Sequence, residues 1–449
     1  MPVGSIQKSH RFSPTYKKEQ RAAPTVPTGM THDRMPGEQR MSHIAATQDV
    51  YPAMHRKPKL KLFTELTLSP ELQKRLAALN FVVPTPVQAL AIPPALEGRD
   101  VLATAQTGTG KTLSFMLPII ERLQKAERTQ KAQGKQDRVQ IGALILLPTR
   151  ELAMQVEKVY RQLMPEGRMR AALVVGGLAE GPQLEALRRG VRIVVATPGR
   201  LEDYLDRKLV KLDGVEVLVL DECDRMLDMG FKPSIRRIVS KLRAERQTLC
   251  YSATLNTEMR EVTREYLKNP ARIDISTELK PAENVALQMF EVTKEKKSEL
   301  LEHLLSKHEG SFLVFTRTKH GADRLANRLS RVGHNAARIH GDRTQAQRVA
   351  ALKGFADGAN RVLVATDVAA RGIDVPHVAH VVNYDLPKEA EDFVHRVGRT
   401  GRASRSGTAH TFALPEERNE VRRIERKLAI TMKRYKVTAT VSNKAAVPA

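Results

Sequence analysis

A glycine-rich segment, Ala105-Gln-Thr-Gly-Thr-Gly-Lys-Thr112, directly follows a short apolar run at residues 101–104. Glycines at this spacing let backbone N–H groups surround a phosphate, and a helix that begins behind them adds its dipole. Lys111 is then placed to reach the β- and γ-phosphates of a nucleotide, and the Thr112 hydroxyl to bind Mg²⁺. Ala105 replaces the first glycine of the strict P-loop pattern. The predicted phosphate-binding residues are Thr107, Gly108, Thr109, Gly110, Lys111 and Thr112.

A second candidate segment, Val217-Leu-Val-Leu-Asp-Glu-Cys-Asp224, is an apolar run that ends in acidic residues. An enzyme that cleaves a nucleoside triphosphate needs acidic groups at the end of such a strand. Asp221 would hold Mg²⁺, and Glu222 would orient or deprotonate the attacking water. Together the two segments predict hydrolysis of ATP or GTP, with Lys111, Asp221 and Glu222 as catalytic residues.

Length and charge limit what can position these residues. The chain of 449 residues is long enough for about three domains, and its 41% hydrophobic residues can supply each with a core. Lys and Arg number 74 against 50 Asp and Glu, a formal charge of +24. Such an excess attracts polyanions, so nucleic acid is the first candidate partner and an anionic membrane surface the second. No apolar run approaches about 18 residues, which argues against a membrane partner.

The chain has two cysteines, too few for a disulfide framework or a cysteine-based zinc site. This usage predicts a reduced intracellular compartment, and we expect the cytoplasm. The N-terminus lacks the apolar core of a signal peptide, although its basic character leaves an organelle transit peptide as an alternative. Met30, Met35 and Met41 are alternative start sites.

Residues 1–58 are polar, contain scattered prolines and lack periodicity, so we predict a disordered tail. Beyond them, strand-length apolar runs alternate with helical stretches, which is typical of βαβ units and a parallel sheet. A first domain, 59–272, has predicted strands at 101–104, 142–147, 172–175, 192–196, 215–220 and 247–251. A linker at 273–286 leads to a second domain, 287–416, with predicted strands at 288–292, 311–315, 335–339, 361–365, 380–383 and 407–412. A basic, partly helical extension follows at 417–449.

The run Asp221-Glu-Cys-Asp224, with the glycine-rich segment, resembles the DEAD-box RNA helicase family in its less common form with cysteine at the third position. Further family motifs follow in order over roughly residues 60–415: Pro84-Thr-Pro-Val-Gln88 with Phe63 upstream, Pro148-Thr-Arg-Glu-Leu-Ala153, Gly176-Gly177, Thr197-Pro-Gly-Arg200, Ser252-Ala-Thr254, Phe315-Thr-Arg317, Gln345 to Arg348, Ala365-Thr-Asp367, Arg371-Gly-Ile-Asp374 and His395-Arg-Val-Gly-Arg-Thr-Gly-Arg402. The resemblance implies an α/β protein of two tandem RecA-like parallel-sheet domains, with ATP and Mg²⁺ as ligands and RNA as partner.

The resemblance also implies roles at the nucleotide. Gln88 would select ATP over GTP, because an amide presents a donor and an acceptor that pair with adenine N6 and N7. Phe63 would stack on the ring, and Asp374 would contact the ribose. Arg399 and Arg402 would act as arginine fingers from the second domain, worth about 10³–10⁵ in rate. The residues implied to couple the ATP and RNA sites are Ser252, Thr254 and His395.

An RNA surface is implied as well, with small, hydroxyl-bearing and arginine residues that suit contact with sugar and phosphate. Its members are Thr149, Arg150, Gly177, Thr197, Gly199, Arg200, Arg317, Gln345, Arg348 and Thr366. Aromatic residues make up 4% of the chain and tryptophan is absent, so few platforms exist for stacking bases. We therefore expect little sequence preference, and separation of short duplexes when the domains close around ATP and RNA.

Alternatives stay open on the same residues. A DNA-directed helicase of the same superfamily would respond to DNA, and an ATP-gated clamp would bind RNA and seldom unwind it. The basic extension is either a phosphate-binding surface or a solvated helix face. Cys223 is either a tolerated replacement of the family's usual alanine or a redox-sensitive group beside Glu222, whereas Cys250 is expected in the core. Ribosome-assembly or other ribonucleoprotein partners are compatible with this core.

Overall fold

The computed structural model describes residues 62–105, 109–133, 139–165, 169–275, 281, 284–370, 378–401, 406–436 and 447–448. The disordered tail predicted at 1–58 lies outside these residues. The described chain forms two α/β domains, each built on a largely parallel sheet, which confirms the predicted fold class. No helix among the described residues is long and apolar enough to cross a membrane.

The first domain begins with a 3-10 turn, Phe63–Glu65, and has strand order β3-β4-β2-β5-β6-β1-β7. Its elements are α1 (Pro70–Ala78), α2 (Pro86–Leu96), β1 (Val101–Thr104), α3 (Lys111–Ala132), β2 (Ala143–Leu146), α4 (Arg150–Leu163), β3 (Ala171–Val174), α5 (Glu180–Arg188), β4 (Ile193–Ala196), α6 (Pro198–Asp206), β5 (Val217–Leu220), α7 (Cys223–Asp228), α8 (Lys232–Val239), β6 (Gln247–Ser252), α9 (Thr257–Tyr266) and β7 (Ala271–Asp274).

The second domain has strand order β10-β11-β9-β12-β13-β8-β14-β15, in which β15 alone pairs antiparallel. Its elements are β8 (Val285–Glu291), α10 (Lys297–Lys307), β9 (Ser311–Phe315), α11 (Lys319–Arg331), β10 (Ala336–Ile339), α12 (Gln345–Ala356), β11 (Val362–Ala365), α13 (Asp367–Ala370), β12 (Val378–Asn383), α14 (Ala390–Val397), β13 (Gly407–Ala413), a 3-10 turn (Pro415–Glu417), α15 (Arg418–Leu428), β14 (Lys433–Lys436) and β15 (Val447–Pro448).

Strands β2, β4 and β5 are apolar along their whole length because helices cover both faces of the sheet. Along β2, Ala143 and Ile145 face one layer of the core, whereas Leu144 and Leu146 face the other. Every residue of β1, β2, β4 and β5 is buried. This geometry sends the loops that follow β1 and β5 to the same carboxyl edge of the sheet, on either side of β6.

The predicted linker at 273–286 overlaps strands at both of its ends. Strand β7 pairs with β1, with Val101 opposite Ala271, and β8 already begins at Val285. Prediction missed β7 because it is an edge strand whose residues alternate between buried and half-buried, so it contains charged side chains.

The predicted extension at 417–449 is, through residue 436, part of the second domain. Helix α15 buries Val421, Ile424 and Leu428. Strand β14 pairs in parallel with β8, and the ring of Tyr435 stacks on that of Phe290 with centroids 5.0 Å apart. The basic residues of this segment concealed an apolar face that holds it to the domain.

Candidate active site

The glycine-rich segment lies at the carboxyl end of β1, where Lys111 opens α3. Gly110 caps this helix in the left-handed conformation, with φ of 88°, and a Cβ added there would lie 2.5 Å from Nε2 of Gln88. Lys111 is buried, donates a hydrogen bond to Ala105 O at 3.2 Å, and lies 3.9 Å from Asp221 Oδ1. Its ammonium group therefore points back towards Ala105, where the glycine-rich segment begins. Thr109 and Thr112 are half-buried beside it, whereas Thr107 and Gly108 lie outside the described residues.

Gln88 joins α2 to this loop. Its Nε2 donates to Gly110 O at 2.9 Å, and its Oε1 accepts from Thr85 N at 2.8 Å. An amide has one further hydrogen and one further lone pair, so Gln88 keeps a donor and an acceptor for a base. The ring of Phe63 is 3% exposed and packs edge-on against Phe81, with centroids 6.4 Å apart. Phe63 is thus a core residue in this structure, and its stacking on adenine stays a prediction.

The acidic residues after β5 are almost inaccessible to water. Burial raises the pKa of Asp221 to about 6, with Lys111 acting against it. Burial also acts to raise the pKa of Glu222, but Arg225, then Lys111, Arg399 and His395, lower it to about 2. Glu222 is therefore ionised at neutral pH.

Two further features of Glu222 were not predicted. Its backbone is left-handed, with φ of 51°, which is uncommon for a residue that is not glycine, asparagine or aspartate. Its Oε2 accepts a hydrogen bond from Nη1 of Arg225 at 2.6 Å. The signal was present in the sequence, because residues three apart on a helix are neighbours.

Asp224 connects the acidic segment to the predicted coupling residues. Its Oδ2 accepts hydrogen bonds from Ala253 N at 3.0 Å, Thr254 N at 2.9 Å and Thr254 Oγ1 at 3.0 Å. Ser252 Oγ donates to Thr254 O at 2.7 Å. These hydrogen bonds hold the acidic segment against the motif at 252–254.

Cys223 and Cys250 are both fully buried, which confirms Cys250 as a core residue. A hydrogen bond with Cys250, and then burial, raises the pKa of the Cys223 thiol well above its ordinary value. A protonated, buried thiol is a poor nucleophile, and this favours the interpretation of Cys223 as a tolerated replacement.

The second domain contributes His395 and Arg399 to the surroundings of the Glu222 carboxylate, because both act electrostatically on it. Arg399 is buried, and its Nε donates to His395 O at 3.3 Å. Arg402 and Asp374 lie outside the described residues. Arg396, which prediction missed, is bidentate to Asp367 at 2.6 and 2.7 Å. It joins two motifs of the second domain, and the sequence signal was an arginine on the apolar face of a helix.

In the first domain, the predicted RNA residues follow three neighbouring strands, β3, β4 and β2. Thr149 caps α4 by accepting from Leu152 N, and a Cβ added to Gly177, whose φ is 76°, would lie 1.9 Å from Nη1 of Arg150. Thr197 Oγ1 accepts from Gly176 N at 3.4 Å. Arg200 donates to Tyr204 OH at 3.3 Å, and a Cβ added to Gly199 would meet open space. These residues form one strip at the carboxyl edge of the sheet.

In the second domain, Gln345 and Arg348 lie at the start of α12 and contact the first domain. Arg348 Nη2 is 3.0 Å from Glu151 Oε2, with both side chains buried, and Gln345 Nε2 is 3.8 Å from Met154 Sδ. Arg348 therefore makes an ion pair between domains that prediction missed. Arg317 pairs with Glu417 at 3.4 Å, and Thr366 is half-buried after β11. RNA contact by these residues stays a prediction.

The fold and the site define a two-domain P-loop nucleotide hydrolase. The family description DEAD/DEAH box helicase matches residues 85–262, and Helicase conserved C-terminal domain matches residues 295–404. The DEAD-box ATP-dependent RNA helicase CshA of Geobacillus kaustophilus is 40% identical over 375 residues, which cover 83% of this chain and 78% of that protein. The DEAD-box ATP-dependent RNA helicase 30 of Arabidopsis thaliana is 42% identical over 380 residues, 84% of this chain but 63% of that protein.

Among solved structures, S. cerevisiae Dbp5 bound to RNA and ADP BeF3 is similar, with a TM-score of 0.75 at 31% identity, covering 84% of this chain and 96% of that chain. The chain therefore belongs to the DEAD-box ATP-dependent RNA helicase family, whose members are ATP-hydrolysing enzymes. The family predicted from the motifs is confirmed.

Proposed function

We propose that this chain hydrolyses ATP in response to RNA, and that closure of its two domains separates short RNA duplexes. The contact that carries the proposal is the buried ion pair between Glu151 and Arg348, at 3.0 Å. It joins α4, which begins at the predicted RNA residue Arg150, to α12 of the second domain. Arg399 and His395 support it, because they act on Glu222 of the first domain from the second. A complete site thus requires both domains.

In this proposal Lys111 and Arg399 stabilise charge on the phosphates from opposite sides. Asp221 and the Thr112 hydroxyl fit a Mg²⁺ ion, because a buried carboxylate whose pKa is raised gains from a cation beside it. Bound Mg²⁺ supplies further neutralisation of phosphoryl charge. Glu222, ionised and strongly acidic, is suited to orient the attacking water as a hydrogen-bond acceptor rather than to hold its proton at rest.

Coupling follows from the shared closed state. If ATP and RNA each bind better when the domains are closed, each tightens the binding of the other by the same factor. The hydrogen bonds of Asp224 to Ala253 and Thr254 supply a rigid connection from the acidic segment towards the coupling motif. Loss of phosphate after hydrolysis would weaken closure and release RNA.

The residue types of the predicted RNA surface favour contact with the sugar-phosphate backbone of RNA rather than with its bases. Arginine, threonine and glycine predominate in the predicted strip, and these suit phosphate and ribose contact. Dbp5 is a related protein whose solved structure contains RNA. We propose little sequence preference, with the 2′-OH distinguishing RNA from DNA. Cytoplasmic location and ribonucleoprotein partners stay predictions.

The test is ATP hydrolysis with and without single-stranded RNA, beside DNA of the same length, in wild type and Glu222→Gln. We expect stimulation by RNA alone, and a loss of at least about 10²-fold in the variant. Unwinding of a short labelled RNA duplex is followed in the same samples. Equal stimulation by DNA would favour a DNA-directed helicase, and ATP-dependent RNA binding without unwinding would favour a clamp.

A further inference from the structure

Arg225 lies one helical turn beyond Glu222, and the two side chains meet at the start of α7. Glu222 is the residue that precedes this helix, and its left-handed backbone, with φ of 51° and ψ of 48°, turns the side chain back across the first turn. Residues three apart are neighbours on a helix surface. The local fold therefore brings the guanidinium of Arg225 to the Glu222 carboxylate without help from any other element.

The contact between the two side chains is short and almost inaccessible to water. Nη1 of Arg225 is 2.6 Å from Oε2 of Glu222, and the side chains are 2% and 4% exposed. Hydrogen bonds between charged groups at this distance are strong and directional. Because almost no water reaches the pair to compete, the contact restricts the carboxylate to one orientation.

The guanidinium of Arg225 also has a hydrogen-bond donor that its contact with Glu222 does not use. Among the described residues, its Nη2 is buried without a hydrogen-bond partner. Buried donors in folded proteins are nearly always paired, so an unpaired one needs a reason beyond packing. An apolar side chain would fill this position at lower cost if Arg225 served the core alone.

The other cations that act on Glu222 are carried by elements outside α7. Lys111 donates to Ala105 O in the phosphate loop, and Arg399 belongs to the second domain. Arg225 is carried on the same short helix as the acidic segment. It can therefore hold Glu222 in the same orientation whether the domains are open or closed.

We propose that Arg225 is a positioning residue for ATP hydrolysis, which fixes the Glu222 carboxylate in the orientation needed to align the attacking water. This inference rests on the proposed ATPase function. It assigns to Arg225 no contact with ATP, so its loss should impair the chemical step and leave nucleotide binding nearly unchanged.

The experiment compares full-length wild type, Arg225→Met, Arg225→Lys and the double variant Glu222→Gln/Arg225→Met. Arg236→Met is the matched control, because Arg236 makes an exposed ion pair with Glu265 at 3.0 Å in the same domain. We measure kcat and KM for ATP with saturating RNA, the affinity for a fluorescent ATP analogue, and the thermal unfolding midpoint without nucleotide.

In Arg225→Met, kcat is expected to fall by about 10²-fold, the effect of misplacing a reacting group by about 1 Å. KM and analogue affinity should stay within threefold of wild type, and Arg225→Lys should recover part of kcat. The midpoint of Arg225→Met should fall, since a buried carboxylate is left unpaired, and should recover in the double variant, where that charge is gone.

Two outcomes would overturn the inference. One is a kcat within threefold of wild type in Arg225→Met. The other is a loss of kcat matched by equal losses of analogue affinity, with no recovery in Arg225→Lys, which would make Arg225 a structural residue only. If wild type itself lacks RNA-stimulated hydrolysis, the proposed function fails instead, and the unfolding midpoints still report whether Arg225 and Glu222 depend on each other.

Discussion

Replacing Glu151 by glutamine removes the negative charge from the ion pair that joins the two domains. The amide oxygen can still accept a hydrogen bond from Arg348, but a bond between charged groups becomes one between a charged and a neutral group. Removing one charge of a buried pair costs up to about 3–5 kcal/mol, and the retained hydrogen bond offsets part of it. Arg348 Nη2 and Glu151 Oε2 are 3.0 Å apart and both side chains are buried. We therefore expect Glu151→Gln to destabilise the closed state by about 2 kcal/mol.

This loss falls on the closed state alone. When the domains separate, water can hydrate Arg348, so the open state gains nothing from the carboxylate. An energy of about 2 kcal/mol is a factor of about 30 in an equilibrium constant. We therefore expect the factor by which an ATP analogue tightens RNA binding to fall about 30-fold in Glu151→Gln.

The assay is equilibrium titration of a labelled single-stranded RNA, with and without a non-hydrolysable ATP analogue, at one fixed salt concentration. Glu302→Gln is the control, because Glu302 pairs with Arg328 at 2.9 Å on the exposed surface of the second domain. A coupling factor in Glu151→Gln within threefold of that in wild type would refute the reasoning. It would mean that the closed state does not depend on this pair.

Three further results are expected. Gln88→Ala removes the hydrogen bond that Gln88 Nε2 donates to Gly110 O in the phosphate loop and the one that Gln88 Oε1 accepts from Thr85 N, so ATP affinity should fall about tenfold and the preference for ATP over GTP should disappear in competition titrations. Burial, with repulsion from His380 and His308, lowers the pKa of His410 to about 3. His410 therefore binds a proton more tightly in the unfolded chain than in the folded protein. Its contribution to stability is complete above pH 6.5 or so, the unfolded pKa, and decreases as the pH falls towards 3; at pH 5.5 the loss is about 1.4 kcal/mol. Urea unfolding at pH 7.5 and 5.5 should show a smaller loss in His410→Gln, and an equal loss would exclude His410 as its source. Arg422 and Arg426 are exposed on α15, and their joint replacement by glutamine should reduce the salt dependence of RNA binding, in the slope of log K against log salt, by about 1.4. An unchanged slope would identify this helix as a solvated face.

Central strands were predictable because they are buried on both faces. Strands β1 and β9 have the predicted bounds, and the other predicted strands differ by one to three residues at an end. Two strands that contain charged residues were not predictable in this way. Strand β7, at the edge of its sheet, reaches into the predicted linker, and β14, which lies between β8 and β15, falls in the predicted extension.

The order of residue types along the chain determined the fold class, the family and the phosphate-binding and acidic segments, because each of these two segments directly follows a short buried strand. The pairing of groups that are distant in sequence was decided by tertiary structure. Glu151 and Arg348 meet across two domains, and Phe63 is enclosed by the core. A sequence shows that a charge or a ring is present, but burial and partners depend on how separately formed elements pack, and packing decides whether the same arginine binds phosphate or a carboxylate.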